Sequence, residues 1–184
     1  MKATGIVRRI DDLGRIVIPK EIRRTMRIRE GDPLEIFVNE QGNIMLKKYS
    51  PIGELGDFAV QYADSLNKAS GHVTCIADGD SIIAVSGASK KEFYEKQLSP
   101  EVEKIITERK VFVNQPSSEK KVSIITDSDT SDKYQSQVIM PIISEGDAVG
   151  AVIMMSSDPT VNMGEVETKL TQSAAGFLGR HLEQ

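Results

Sequence analysis

From residue 4 to residue 10 the chain reads TGIVRRI, with Ile6, Arg8 and Ile10 on one side of a two-residue period and Gly5, Val7 and Arg9 on the other. That alternation predicts a strand. After the polar DDLG a second short strand is expected over 15–18 (RIVI), with Gly14 supplying a positive-φ bend between the two. Pro19 cannot continue a ladder but suits the first turn of a helix, which Ile22 and Met26 anchor at i,i+4 spacing and REGDP at 29–33 ends. LEIFV (34–38) and IMLKK (44–48), joined by the turn-rich NEQGN, read as a hairpin.

Beyond residue 50 the period changes. Residues 54–70 place Leu55, Phe58, Ala59, Tyr62, Ala63 and Leu66 on one helical face, and Gly71 stands where a C-terminal stop belongs. Strands VTCIA (73–77) and SIIAVS (81–86) flank the turn Asp78-Gly79-Asp80. Helices are expected over 90–98 and 100–109, the second with Ser99 as N-cap, Pro100 at the first position and Glu101 and Glu103 in the first turn. Further strands are expected near 111–113, at 121–126 and at 137–143, the last paired through SEGD with 148–156. A closing helix over 164–182 carries Met163, Val166, Leu170, Ala174, Phe177, Leu178 and Leu182 on a nearly continuous face. The first and last helices of this half should lie side by side, with stripes apolar enough to pack on the sheet or on the same pair from a second subunit.

The expected organisation is therefore α+β in two domains, 1–50 and 56–184, with 51–55 as the linker where YSPIG marks the seam. About fifty residues without a disulfide or a metal bury too little to be stable alone, so the first domain is expected to dimerise through its strands.

Composition, with 39% hydrophobic and 27% charged residues, is that of a globular protein. The apolar run AVGAVIMM is far too short to span a bilayer and MKATGIVRR lacks the apolar core of a signal peptide, so the expected location is cytoplasmic. The single cysteine, Cys75, reads as a buried small hydrophobe. His72 and His181 stand outside any metal-ligand motif, and no metal and no cofactor is assigned. DSDTSD at 127–132 begins like a calcium loop, but its sixth position is Asp132 and its twelfth is Val138, where glycine and glutamate are needed. No phosphate-binding loop, nucleophile elbow or zincin helix is present, which leaves an enzyme reading without residues to stand on.

Charge changes the picture most. Up to Ser50 there are eleven basic against seven acidic residues, a balance of +4, so in a chain of net charge −4 the remainder carries −8. A sign reversal of this kind points to two jobs, one of them facing a polyanion. On the short helix Arg23 and Arg27, and Lys20 and Arg24, stand at i,i+4, an arrangement that works against local stability. From Arg8 to Arg29 every basic residue except Lys20 is arginine, whose planar fork suits phosphate and the guanine edge. The cluster is suited to DNA.

These residues also carry a resemblance. TGIVRRIDDLGRIVIPKEIRRTMRIREGDPLEIFV and IMLKKY resemble the N-terminal DNA-binding domain of the AbrB family of bacterial transition-state regulators. The continuation through SPIGELGDFA, SGASKK at 86–91 and the closing helix resembles sporulation regulators that add a C-terminal GAF-like domain. The resemblance implies a swapped-hairpin β-barrel dimer in the first half and, in the second, an antiparallel sheet flanked by helices. Arg8, Arg15, Arg23 and Arg24 match the DNA-contacting positions, and Arg9 stands where the family tolerates another basic residue; Gly14 shapes the loop, while Asp12, Leu13, Pro19, Glu21 and Ile22 are scaffold. It further implies a regulator, activating or repressing sporulation genes at AT-rich promoters on the nucleoid, in the forespore. GAF-like domains commonly bind small molecules over the sheet, which makes Cys75, Asp78, Ser86 and Ser89 candidate ligand residues. The same domain can act by joining two dimers into a tetramer. Two readings from other classes stand beside this one: an antitoxin built on an AbrB-like dimer, and a small-molecule signalling module.

Overall fold

The computed structural model describes residues 5–118, 121–127, 130 and 132–183. Contacts divide the chain after Tyr49 into two units.

In the first unit Pro19 leads into helix α1 (Lys20–Thr25) with its carbonyl accepting from the Arg23 N–H at 2.9 Å. The helix is six residues long, shorter than expected, because the chain leaves it at Arg27 with φ 51. The Ile28 N–H then bonds the Arg23 carbonyl at 2.8 Å, closing the end in the six-to-one pattern of a Schellman motif. Strands β1 (Leu34–Val38) and β2 (Ile44–Lys48) pair antiparallel from Leu34↔Lys48 to Val38↔Ile44. Asn39 shapes their turn, its side-chain oxygen accepting from the Gln41 and Asn43 N–H groups. The strands expected over 4–10 and 15–18 do not form within the chain: among the described residues 5–18 belong to no sheet, and Thr4 lies outside them. Among the described residues no ladder takes these segments up, and strand spacing alone does not make a strand without a ladder to join. Among the described residues before Ile52 only Pro19 is buried.

The second unit opens with a 3-10 helix (Pro51–Leu55), which Ser50 caps by accepting from the Gly53 N–H. The expected linker is thus part of this unit, with Ile52 fully buried in its core. Helix α2 (Gly56–Ser70) ends on Gly71, whose φ of 74 and bond to the Asn67 carbonyl make the expected stop. Strands β3 (Val73–Asp78) and β4 (Ile82–Ser86) form a hairpin, with Asp78 Oδ1 accepting from the N–H groups of Asp80 and Ser81. Helix α3 (Lys90–Phe93) stops early. Tyr94 turns extended, Glu95 takes φ 60, and the chain runs along the edge of β4 with Ile82 bonding both Glu95 and Lys96. Helix α4 (Pro100–Thr107) is capped by Ser99 as expected. Strand β5 (Phe112–Asn114) precedes a covering segment in which residues 121–126, expected as a strand, make among the described residues a single bridge, Ile125↔Leu98. The segment's backbone bonds are divided: the Thr126 N–H donates to the Gln97 carbonyl at 3.0 Å, and the Ile124 N–H donates to the Thr130 hydroxyl at 2.8 Å. Of the DSDTSD stretch, Ser128, Asp129 and Ser131 lie outside the described residues. Strands β6 (Ser136–Ser144) and β7 (Asp147–Ser156) and helix α5 (Glu165–His181) complete the unit.

The five strands form one antiparallel sheet in the order β4-β3-β7-β6-β5. Alternation sorts the core onto its two faces. Cys75, Ala77, Ile139 and Ile153 meet Phe93, Leu98, Val102 and Tyr134 on the α3–α4 side. Ile76, Met140, Ile142 and Val152 meet Ala59, Ala63, Ala174 and Leu178 of α2 and α5 on the other. The protein is α+β with two domains, both sheets antiparallel.

Candidate nucleic-acid interface

The arginines sit on short, differently built pieces of the first unit. Arg23 and Arg24 occupy the last turn of α1, where the helix dipole favours cations. Arg15 follows a closed turn, in which Asp11 and Arg15 join through a 3.0 Å backbone bond and the Gly14 N–H bonds the Asp11 carbonyl. Gly14 takes φ 75, as the turn requires. Arg8 borders an apolar groove of about 250 Å³ whose walls include Ile6, Ile16, Ile22, Met26 and Leu46. Arg8, Arg9, Arg15, Arg23 and Arg24 are all exposed.

Asp11 organises the turn. Its Oδ1 accepts from the N–H of Arg15 at 2.7 Å and of Leu13 at 3.1 Å, and its Oδ2 accepts from Arg15 Nε at 2.9 Å. The backbone N–H of Arg15, above all, holds the Asp11 carboxyl below the usual carboxylate range, with the Arg15 side chain and the Leu13 N–H adding to it. The sequence reading passed over Asp11, although an acid four residues before an arginine across a glycine turn was a legible signal. A second tie closes the far side of the unit, where Lys48 Nζ bonds Asp32 at 3.1 Å and donates to the Arg27 carbonyl.

The four candidate ligand residues in the second unit do not share a wall. Cys75 faces the α3–α4 core, fully buried, and burial pushes its thiol pKa far up. Ser86 pairs across the ladder with Thr74, the neighbour of Cys75, and so faces the opposite side, where its hydroxyl lies 3.4 Å from Asp64 of α2. Asp78 is occupied in its turn, and the Ser89 carbonyl accepts from the Glu92 N–H. Asn114 and Gln137 are cross-strand partners, both buried, and neither side-chain oxygen meets a donor among the described residues. Their amide nitrogens are engaged, with the carbonyls of Gln135 and Val122 respectively. On the helical side Phe58, Tyr62, Phe177 and His181 stack at centroid distances of 5.0–6.0 Å, with Phe177 48% exposed.

Comparison with known proteins matches both units. A family described as "Stage V sporulation protein T C-terminal, transcription factor" matches residues 54–183, and one described as "Antidote-toxin recognition MazE, bacterial antitoxin" matches residues 7–54. Stage V sporulation protein T of Bacillus subtilis is 54% identical over 184 residues, all of both chains. The transition state regulatory protein AbrB of the same organism is 46% identical over 85 residues, 43% of this chain and 81% of that one. The second unit shares its fold with the GAF domain from a phosphoenolpyruvate-protein phosphotransferase of Coxiella burnetii, at a TM-score of 0.56 and 14% identity over 70% of this chain and 82% of that one. An AbrB-type unit bearing the arginines, a GAF-like unit following it in sequence, and identity maintained from end to end place the chain in the stage V sporulation protein T family.

Proposed function

We propose that the protein is a DNA-binding transcription regulator of sporulation genes, acting in the cytoplasm on the nucleoid, and that a dimer of its first unit makes the contact. One observation carries this reading. Five exposed arginines stand on a unit whose large apolar side chains are exposed too, with Ile6, Ile16, Val17, Ile36, Val38 and Ile44 between 40% and 71%. Apolar surface left bare over so much of so small a unit cannot stay in water. A second copy, interleaving 6–10 and 15–18 as strands of one sheet, would bury it and leave the arginines outside. The family to which the second unit belongs is described as a transcription factor, which supports the same reading. The test is a genome-wide binding map of wild type beside Arg23→Ala/Arg24→Ala; binding at promoters that disappears in the variant is expected, and identical maps would remove DNA as the target of these arginines.

The second unit serves assembly in this reading. Its α3–α4 face is filled by its own side chains, including Phe93 and Tyr134. Its α2–α5 face, by contrast, presents the aromatic stack and, along α5, an open groove of about 580 Å³ lined by residues that include Lys169, Ser173, Gly176, Phe177 and Arg180. Helices from a second dimer fit such a surface, giving a tetramer that raises the effective concentration of one arginine set near DNA held by the other. A small-molecule reading is favoured by the side-chain oxygens of Asn114 and Gln137 on the otherwise filled α3–α4 side, which meet no donor among the described residues and suit a small ligand bearing N–H groups. Thermal shift of the full chain against a metabolite library tests it: a shift that Gln137→Met abolishes supports this site, and one that survives the substitution arises elsewhere.

A further inference from the structure

Asp11 sets a problem for the DNA-binding reading. It places a negative charge inside the segment that is to meet a polyanion, and by sign alone it should weaken binding. Yet both of its oxygens are turned to the same neighbour: Oδ1 takes the Arg15 N–H at 2.7 Å and Oδ2 takes Arg15 Nε at 2.9 Å. The two side chains remain in solvent, Arg15 at 69% and Asp11 at 37% exposure, so the pair has no core to hold it and works by local geometry.

The geometry has a use. A guanidinium offers five N–H donors, and engaging Nε alone leaves the two Nη groups outside the ion pair. Those groups form one edge of the fork that grips a phosphate by two parallel bonds. A long arginine side chain otherwise loses rotamer freedom on docking, and holding it beforehand removes part of that cost. Oδ1 meanwhile ties Leu13 and Arg15 backbone into one turn, fixing where the Arg15 side chain starts.

We propose that Asp11 is a positioning residue for Arg15, its carboxylate fixing both the 11–15 turn and the orientation of the guanidinium that contacts the DNA backbone. The proposal rests on the DNA-binding reading of the first unit. It makes a prediction of unusual sign: removing an acid from a DNA-binding surface lowers affinity.

The experiment uses the full chain and a labelled AT-rich duplex, followed by fluorescence anisotropy over a salt series. Asp11→Ala removes all three bonds; Asp11→Asn keeps an acceptor for the backbone N–H groups and discards the charge. Affinity should fall about fivefold to tenfold for Asp11→Ala and about half as far on the logarithmic scale for Asp11→Asn. The slope of log K against log salt should become shallower by about one phosphate contact for Asp11→Ala. In an Arg15→Ala background Asp11→Ala should cost nothing more, which separates positioning from a general loosening of the unit. Tighter binding by either Asp11 variant, unchanged binding, or a loss fully additive with Arg15→Ala overturns the proposal. A flat salt dependence shared by wild type and Arg23→Ala/Arg24→Ala overturns the DNA-binding reading itself, and the role of Asp11 with it.

Discussion

Gly179 of α5 lies directly against the carbonyl of Ile143 on β6, so close that a methyl group at its Cα would overlap that oxygen. The contact lies beside a register shift between Ile142 and Ile143. A backbone oxygen cannot swing aside as a side chain can, so α5 itself must move if Gly179 gains a side chain. Gly179→Ala should therefore destabilise the second unit by about 1 to 3 kcal/mol as an overpacking change, even though alanine is the better helix former by about 1 kcal/mol. Calorimetry of the full chain should show the corresponding transition several degrees lower. A rise would mean that helix and sheet are not in contact at this point.

The arginines should show themselves in salt before they show themselves in sequence. With roughly 6 to 10 phosphates neutralised by a dimer, log K should fall with log salt at about −0.9 per contact, a loss of about 10³ to 10⁵ between 50 and 200 mM. Arg23→Ala/Arg24→Ala should flatten the slope by about one contact for each phosphate released. Preference for AT-rich sites should survive the single substitutions, since it is expected from DNA deformability and not from a base-edge code.

Much of this could be read before any coordinates, where local chemistry decided the outcome. The β1–β2 hairpin has the limits that alternation and NEQGN predict, because a turn and two periods agree within fifteen residues. Ser99-Pro100 caps α4 for the same reason. Where the outcome depended on distant partners, the sequence was silent. Residues 95–98 have helical spacing, yet the open edge of β4 offered their backbone better bonds. Residues 6–10 and 15–18 have strand spacing, yet among the described residues no sheet includes them. Register divides the candidate ligand set: Cys75 and Ser86 are each at a plausible strand position, and the pairing Thr74↔Ser86 shows that they face apart.

Assembly should depend on the ring of Phe177, which lies 5.8 Å from Phe58 and 5.5 Å from Tyr62 while remaining 48% exposed. An exposed aromatic already braced by others is a ready anchor for a partner helix, and truncating such anchors commonly costs 2 kcal/mol or more. Phe177→Ala should halve the mass seen by light scattering at micromolar concentration, from tetramer to dimer, with the fold intact by circular dichroism. If the mass is unchanged, the α2–α5 face is not the tetramer contact.

Cys75 offers a pH-resolved report on the α3–α4 core. Burial first, and the nearby charge of Glu92 second, raise its thiol pKa far above the ordinary 9.0. The thiolate is the reactive form, so iodoacetamide should label the native chain negligibly at pH 8 and gain little at pH 9, while the unfolded chain labels at once. The sign for stability follows from proton counting. Well below pH 9.0 the thiol is protonated in both states and adds no pH dependence; as pH rises through 9.0 the unfolded state loses the proton that the folded state keeps, so stability falls. The slope due to this group is about 1.4 kcal/mol per pH unit, and it is isolated by comparing wild type with Cys75→Ala between pH 8 and pH 10. Parallel stability curves for the two proteins, or fast labelling of the native chain, would show that the core opens to solvent at Cys75 and that this face is accessible to a ligand without unfolding.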